Sequence, residues 1–256
     1  MDYLICCVPV SPLRAKPMHE SEMVSQLVFG ECAELLQVLE DDWLQIRCRD
    51  DGYLGFCQAT QMLSIEKKLY DSPYRDLVQD WSASLQWDGN SIHVPMGSVL
   101  TGMENGSVCW GDHELISMAN LWRSSDAARS EENIRWFLSQ YFNTAYTWGG
   151  RTVFGVDCSG LTQMLYRFLN ISLPRDASQQ AIVGEEPGFL SQARCGDLAF
   201  FNDESGKIVH VGVLLNEAEI VHASGKVRMD KIDSQGIIHS DTGRRMYGLR
   251  LIKRYF

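Results

Sequence analysis

No stretch of this 256-residue chain approaches the roughly 20 consecutive apolar residues that a membrane-spanning helix requires. The amino terminus, Met1-Asp2-Tyr3-Leu4-Ile5-Cys6-Cys7-Val8-Pro9-Val10, has no basic leader region, and its apolar run is short and interrupted by proline, unlike a signal peptide. With Met1 as the natural start a cytoplasmic protein is expected, and a periplasmic or secreted one if an upstream signal was removed. Positive charge is scarce as well. Lys and Arg number 23 against 33 Asp and Glu, giving a net charge of −10 and a pI of about 5.1, and no basic stripe interleaved with aromatics faces phosphates. These features exclude nucleic acid as a partner and disfavour polyanionic polymers, whereas a small soluble peptide remains acceptable. No amphipathic membrane segment is present, so no membrane partner is expected. Eight cysteines occur without one C-x-x-C spacing, which fits reduced thiols and gives no zinc signature; neither metal nor cofactor is expected. The adjacent Cys6 and Cys7 read as a buried edge strand.

One cysteine departs from the default of a small buried hydrophobe. In Tyr146-Thr147-Trp148-Gly149-Gly150-Arg151-Thr152-Val153-Phe154-Gly155-Val156-Asp157-Cys158-Ser159-Gly160-Leu161, Cys158 stands where a glycine-rich loop turns into a helix. Leu161, Met164, Leu165 and Phe168 follow at i+3, i+6, i+7 and i+10 from the cysteine, giving the helix an apolar face, and Asp157 is its natural N-cap. Unpaired N–H groups and the positive end of the helix dipole favour thiolate at such a position, with a pKa that can fall from ~8.5 to roughly 3.5–7.5.

A nucleophilic thiol needs an imidazole base and a third group to orient it. Of six histidines, His19, His93 and His113 lie among polar, loop-like residues, and His239 lies in a polar stretch beside Ser240 and Asp241. His210 sits instead inside the β-rich run Val209-His210-Val211-Gly212-Val213-Leu214-Leu215, where an imidazole must have a partner. After the polar connection Asn216-Glu217-Ala218-Glu219, Ile220-Val221-His222-Ala223 reads as a second strand, so a hairpin brings the two histidines together as base and orienter.

The blocks Trp148-Gly149-Gly150, Phe154-Gly155-Val156-Asp157-Cys158-Ser159-Gly160-Leu161, Leu173-Pro174-Arg175-Asp176-Ala177-Ser178-Gln179-Gln180, Gly196-Asp197-Leu198-Ala199-Phe200-Phe201, His210-Val211-Gly212-Val213 and Val221-His222-Ala223 occur in that order. Together they resemble the NlpC-type cysteine peptidases of bacterial cell-wall metabolism over roughly residues 126–256. By that resemblance Cys158 is the nucleophile, His210 the general base and later acid, and His222 the orienting member, while Tyr146 helps to stabilise the oxyanion. A neutral third member implies that His210 is held without a buried carboxylate. Asp176 matches the acidic residue that receives a substrate ammonium. Ser159, Arg175 and Ser178 occupy motif positions that shape the pocket, and Trp148 and Asp157 join the substrate-binding set. Arg175 and Asp176 equally read as a structural ion pair.

Residues 1 to about 65 read as short β segments, with Leu35-Leu36-Gln37-Val38-Leu39, Trp43-Leu44-Gln45-Ile46-Arg47 and Gly52-Tyr53-Leu54-Gly55-Phe56-Cys57 separated by acidic or glycine-containing turns. The pattern from Pro12-Leu13-Arg14 to Gly52-Tyr53-Leu54-Gly55-Phe56 resembles a bacterial SH3-like domain. Residues 75–125 lack long helical periodicity, and Ile92-His93-Val94-Pro95-Met96-Gly97-Ser98-Val99-Leu100 fits a strand and turn of a second, divergent barrel. Ile65-Glu66-Lys67-Lys68 and Arg123-Ser124-Ser125-Asp126 read as linkers. In the resembling multidomain enzymes the first barrel closes one end of the groove, which implies a substrate with a free amino terminus near the cleaved bond. Tyr53 is then the candidate contact from the barrel, with Glu22 behind it.

The fold expected is multidomain: two N-terminal all-β SH3-like barrels (1–65 and 72–124) followed by an α+β papain-like cysteine peptidase domain (125–256). The resemblance implies a monomer that cleaves murein stem peptides at the γ-D-glutamyl bond to L-Lys or meso-diaminopimelate, in recycling of wall fragments. A hydrolase or amidase of intact peptidoglycan, with the barrels as wall-binding modules, is the alternative. An inert wall-binding protein and a metal site built on Cys158 and the two histidines are further rivals.

Overall fold

The computed structural model describes residues 2–73, 76–123, 125 and 127–256. It is mostly β and divides into two compact units, Met1–Ala127 with Arg151–Val153, and Ala128–Gly150 with Phe154–Phe256.

The first unit opens with β1 (Asp2–Cys6), β2 (Val10–Arg14), β3 (Met23–Val28), β4 (Cys32–Val38), β5 (Trp43–Cys48), β6 (Leu54–Gln58) and β7 (Met62–Ile65), which form one sheet in the order β3-β2-β6-β5-β4-β1-β7. Cys6 is fully buried in β1, against the apolar side chains of Leu13, Leu27 and Ile46. Lys67 and Lys68, expected in a linker, instead form the helical turn α1 (Lys67–Tyr70), where Lys67 reaches Asp71 one turn on. The second expected linker lies partly outside the described residues. β8 (Asp76–Val78), β9 (Ser82–Trp87), β10 (Asn90–Pro95), β11 (Ser107–Trp110), β12 (His113–Ser117) and β13 (Leu121–Arg123) follow, with a four-stranded sheet β10-β9-β12-β11 and a pair β13-β8.

The first sheet has a core of its own around Leu13 and Ile46, and the two sheets also share a second cluster. Ile5, Phe29 and Cys32 of the first pack in one cluster with Val78, Leu85, Trp110 and Leu115 of the later strands. Full burial of a Val, Leu, Ile or Phe side chain contributes ~1.5–3 kcal/mol, so the shared cluster holds the segments together. Arg151, in the short strand β14 (Arg151–Thr152), also belongs to this unit. Its buried guanidinium donates to both Glu31 oxygens at 2.8 and 2.9 Å.

The second unit is built on a six-stranded antiparallel sheet. After α2 (Glu131–Tyr141), β15 (Gly155–Val156), α3 (Cys158–Phe168) and α4 (Ala177–Gln180) come β16 (Leu198–Asn202), β17 (Ile208–Leu214), β18 (Glu219–Ser224), β19 (Lys226–Asp233), β20 (Gly236–Ile238) and β21 (Gly248–Lys253). The sheet order is β20-β19-β18-β17-β16-β21. Ser130 caps α2 by accepting from Asn133 N, and Ile134, Phe137, Leu138 and Tyr141 form its buried face. α3 packs on β17 and β18 and buries Leu161, Met164, Leu165 and Phe168. That packing fixes the start of α3, and hence Cys158, against the middle of the sheet.

Candidate active site

The chain enters α3 through Asp157, whose carboxylate accepts from Gly160 N at 2.7 Å and Gly149 N at 2.9 Å. The first bond caps the helix and the second closes the preceding loop. Two glycines permit this: Gly149 has φ +76°, and a Cβ on Gly160 would lie 2.2 Å from Gly150 O. Arg175 completes the charge balance, donating from Nη1 to Oδ1 at 3.1 Å and from Nη2 to Oδ2 at 2.6 Å, and donating also to Ser159 Oγ at 2.8 Å. All three side chains are buried, so the structure places Asp157, Ser159 and Arg175 in one cluster beneath the nucleophile, with their polar groups turned on one another. Arg175 pairs with Asp157, its Nη2 2.6 Å from Oδ2.

Asp176 is half-buried at the N-cap of α4, and Gln179 Oε1 accepts from its backbone N at 3.4 Å. Gln180 ties this turn to α3, accepting from Thr162 Oγ1 at 2.7 Å and donating to Ser159 O at 3.1 Å. Ser178 is exposed, and Trp148 is exposed on the loop before the nucleophile. Tyr53 and Glu22 belong to the first unit, Tyr53 packed beside the cluster of Leu13, Leu44 and Ile46 and Glu22 exposed.

Cys158 is 6 % exposed, and its sulfur accepts from the backbone N–H groups of Val211 and Ser159. Its acidity departs from the sequence expectation. Burial, followed by the charge of Asp157, pushes the thiol up to about 12, and the N–H groups of Val211 and Ser159 and the cation of Arg175 offset only part of this. Desolvation overrides the helix N-terminus. The histidine strands show the same effect from the other side: burial, then the proximity of His222, lowers His210 well below its ordinary 6.5. Either charge alone is costly here, whereas a proton passed from thiol to imidazole creates no net charge.

The two imidazoles meet because of strand register. β17 and β18 pair with Gly212 opposite His222, which makes His210 the diagonal neighbour of His222 on the same face. Gly212 leaves the space that the rings need, since a Cβ there would sit 2.9 Å from His222 Cβ. His210 Nε2 and His222 Nδ1 are 2.8 Å apart. The same diagonal continues into β19, where Arg228 lies opposite His222 and Ile220 opposite Asp230. Asp230 Oδ2 accepts from His222 Nε2 at 3.1 Å, and both groups are buried. The expectation of a relay without a buried carboxylate is therefore corrected: the line ends in Asp230. Burial alone would raise the Asp230 pKa, but hydrogen bonds from His222, Ser240 N and Arg228 outweigh it and hold the carboxyl far below the ordinary range.

Two tyrosines lie near these groups. Burial, then the charges of Cys158 and Asp157, raises the Tyr146 pKa, so its hydroxyl stays protonated. Tyr247, not singled out from sequence, stacks on His210 with ring centroids 4.3 Å apart and planes 17° from parallel. It lies in the connection between β20 and β21, where no periodicity marks it.

A buried thiol at a helix start, backed by hydrogen-bonded imidazoles on an antiparallel sheet, defines a cysteine peptidase. Residues 143–246 match the model of the NlpC/P60 family, and residues 13–62 match that of the bacterial dipeptidyl-peptidase Sh3 domain. The chain is 38% identical over 217 residues to a gamma-D-glutamyl-L-lysine dipeptidyl-peptidase of Bacillus subtilis, covering 78% of this chain and 71% of that protein. It is 25% identical over 248 residues to dipeptidyl-peptidase 6 of Lysinibacillus sphaericus, covering 87% of this chain and 89% of that protein. A crystal structure of an NlpC/P60 family protein from Bacillus cereus shares the fold, with a TM-score of 0.81, 17% identity and 99% of each chain covered. The chain belongs to the NlpC/P60 family, with an SH3-like region ahead of its peptidase domain.

Proposed function

We propose that this peptidase hydrolyses the γ-D-glutamyl bond to L-Lys or meso-diaminopimelate in murein stem peptides that carry a free N-terminal L-Ala, in recycling of wall peptides in the cytoplasm. The observation that carries the reading is the thiol of Cys158 held on the Val211 N–H, one residue along β17 from His210. His210 takes the Sγ proton as sulfur attacks the glutamyl carbonyl, and Tyr146 O–H and nearby N–H groups receive the developing oxyanion. His210 then gives the proton to the departing amine, leaving a thioester. Water, deprotonated by His210, hydrolyses that thioester and releases the dipeptide with the sulfur re-protonated. His222 keeps the His210 ring in its working orientation. Asp176 is the proposed acceptor of the L-Ala ammonium, with Ser178 and Trp148 beside it in the binding set and Tyr53 and Glu22 as the first unit's candidates. The four-stranded sheet of the first unit is taken as a second, divergent SH3-like barrel, and the second unit as a papain-like α+β domain.

The test is incubation with free and N-acetylated L-Ala-γ-D-Glu-L-Lys, with and without chelator, and identification of products by mass. Release of L-Ala-D-Glu and L-Lys from the free peptide alone, unaffected by chelator, is the expected result. Equal cleavage of both peptides, or of intact sacculi, would favour an open groove and a wall hydrolase instead. Loss of activity in chelator would favour metal chemistry.

A further inference from the structure

We propose that Asp230 is a positioning residue that sets the tautomers of both histidines and so leaves His210 Nδ1 bare to receive the Cys158 proton; this rests on His210 being the base. Asp230 is 1 % exposed, and its partners are all donors: His222 Nε2 at 3.1 Å to Oδ2, and Arg228 Nη2 at 3.0 Å and Ser240 N at 2.8 Å to Oδ1. Arg228 Nε also lies 2.9 Å from Oδ2 as an ion-pair contact.

An ionised carboxylate has no proton to give, so the proton in the bond to His222 is on Nε2. A neutral His222 then has a bare Nδ1, which can only accept. Its partner at 2.8 Å, His210 Nε2, must therefore carry a proton. A neutral His210 protonated on Nε2 has its lone pair on Nδ1, the one ring nitrogen outside the relay. Arg228 and Ser240 thus fix the orientation of Asp230, Asp230 fixes His222, and His222 fixes His210. His222 alone, with Nε2 facing no charge, would accept either tautomer and leave the base undefined.

Asp230→Asn keeps the shape of the side chain and adds a donor. Arg228 Nη2 and Ser240 N both require an acceptor at the Oδ1 position, two donors against the single Arg228 Nε at Oδ2, which turns the new amide N–H₂ toward His222 Nε2. His222 must then carry its proton on Nδ1 and donate to His210 Nε2, and the His210 proton moves to Nδ1, where the lone pair is needed.

The experiment combines kinetics with histidine-selective ¹⁵N NMR on the full chain at neutral pH. In the native protein His210 and His222 are expected to be protonated at Nε2 and bare at Nδ1. In Asp230→Asn both are expected to invert, with kcat down roughly a hundredfold or more and KM little changed. Native His210 protonated at Nδ1, Asp230→Asn with native tautomers, or Asp230→Asn with native kcat would each overturn the assignment. The native spectrum decides even if Asp230→Asn fails to fold. It is also independent of peptide cleavage: a protein that does not cleave the tripeptide refutes the proposed substrate, while the tautomers still decide the role of Asp230.

Discussion

Cys57 in the first unit and Cys158 in the second are both buried thiols, and burial pushes each up to about 12. By acidity alone they are indistinguishable. Cys57 packs in a cluster with Leu13, Ile46 and Met62, where sulfur serves as a small apolar group. Cys158 has two N–H groups on its sulfur, an imidazole on the adjoining strand and a carboxylate–arginine pair under its helix start. The lesson of the pair is that reactivity in this fold comes from a neighbour able to take the proton, and not from a thiol that is already ionised.

The largest expected difference is between the two sulfurs themselves. Cys158→Ala is expected to abolish tripeptide hydrolysis with an unchanged circular dichroism spectrum and unfolding midpoint. Cys57→Ala should keep native kcat/KM and lose roughly 1–2 kcal/mol of stability in denaturant titration, through the small cavity it leaves. Normal turnover by Cys158→Ala would remove the distinction.

Next come the imidazoles, which have unequal duties. His210→Ala removes the proton acceptor and should lower kcat by roughly 10³-fold, whereas His222→Ala loosens only orientation and tautomer and should cost less. The same substitution sharpens the cysteine contrast. Without His210, iodoacetamide should modify Cys158 more slowly than the exposed Cys109, while Cys57 should react only on unfolding in either protein. Labelling of Cys158 at an unchanged rate in His210→Ala would show that the thiol is activated by something else.

A smaller effect is expected where the substrate's charge meets the protein. Asp176 is half-buried, so solvent screens its attraction for an ammonium, and Asp176→Asn should lower kcat/KM on the free tripeptide by roughly tenfold. Acetylating the peptide adds bulk to the lost charge and should cost more. Equal kcat/KM for Asp176→Asn and the native protein would move the ammonium site elsewhere.

The smallest effect concerns stability against acid. Because burial and His222 hold His210 below 6.5, the unfolded chain binds a proton below about pH 6.5 that the folded one refuses. The stability is therefore whole above that pH and is lost as pH falls toward the folded value; the lowered carboxyl of Asp230 adds a second loss below about pH 4. The urea midpoint should drop between pH 7 and 5, and drop less in His210→Gln. A pH-independent midpoint in that range would contradict the buried, neutral imidazole.

Much of this site was legible in the chain because its signals are local. Asp157-Cys158-Ser159-Gly160 announces a capped helix start, and a histidine inside an apolar β run announces a buried ring that needs a partner. Asp230 was missed because its meaning depends on register: in Lys226–Asp233, Arg228, Asp230 and Ile232 share one face, and an Arg-Asp pair on the inward phase of a strand was the available sign. Tyr247 had no such sign, since it comes from an irregular connection and reaches His210 only through folding. The front half was legible in part. Its strands were readable from their turns, but short apolar segments do not reveal that the sheets share a cluster around Phe29 and Trp110 besides the first sheet's own core.

The central claim is that Cys158 forms a covalent bond with the glutamyl carbonyl and that His210 makes this possible. The most direct measurement is rapid acid quench of the protein with saturating L-Ala-γ-D-Glu-L-Lys, followed by peptide mapping by mass spectrometry. The account predicts an L-Ala-γ-D-Glu thioester on Cys158 in the native protein and none in His210→Ala. Turnover with no adduct, or an adduct on another residue, would contradict it.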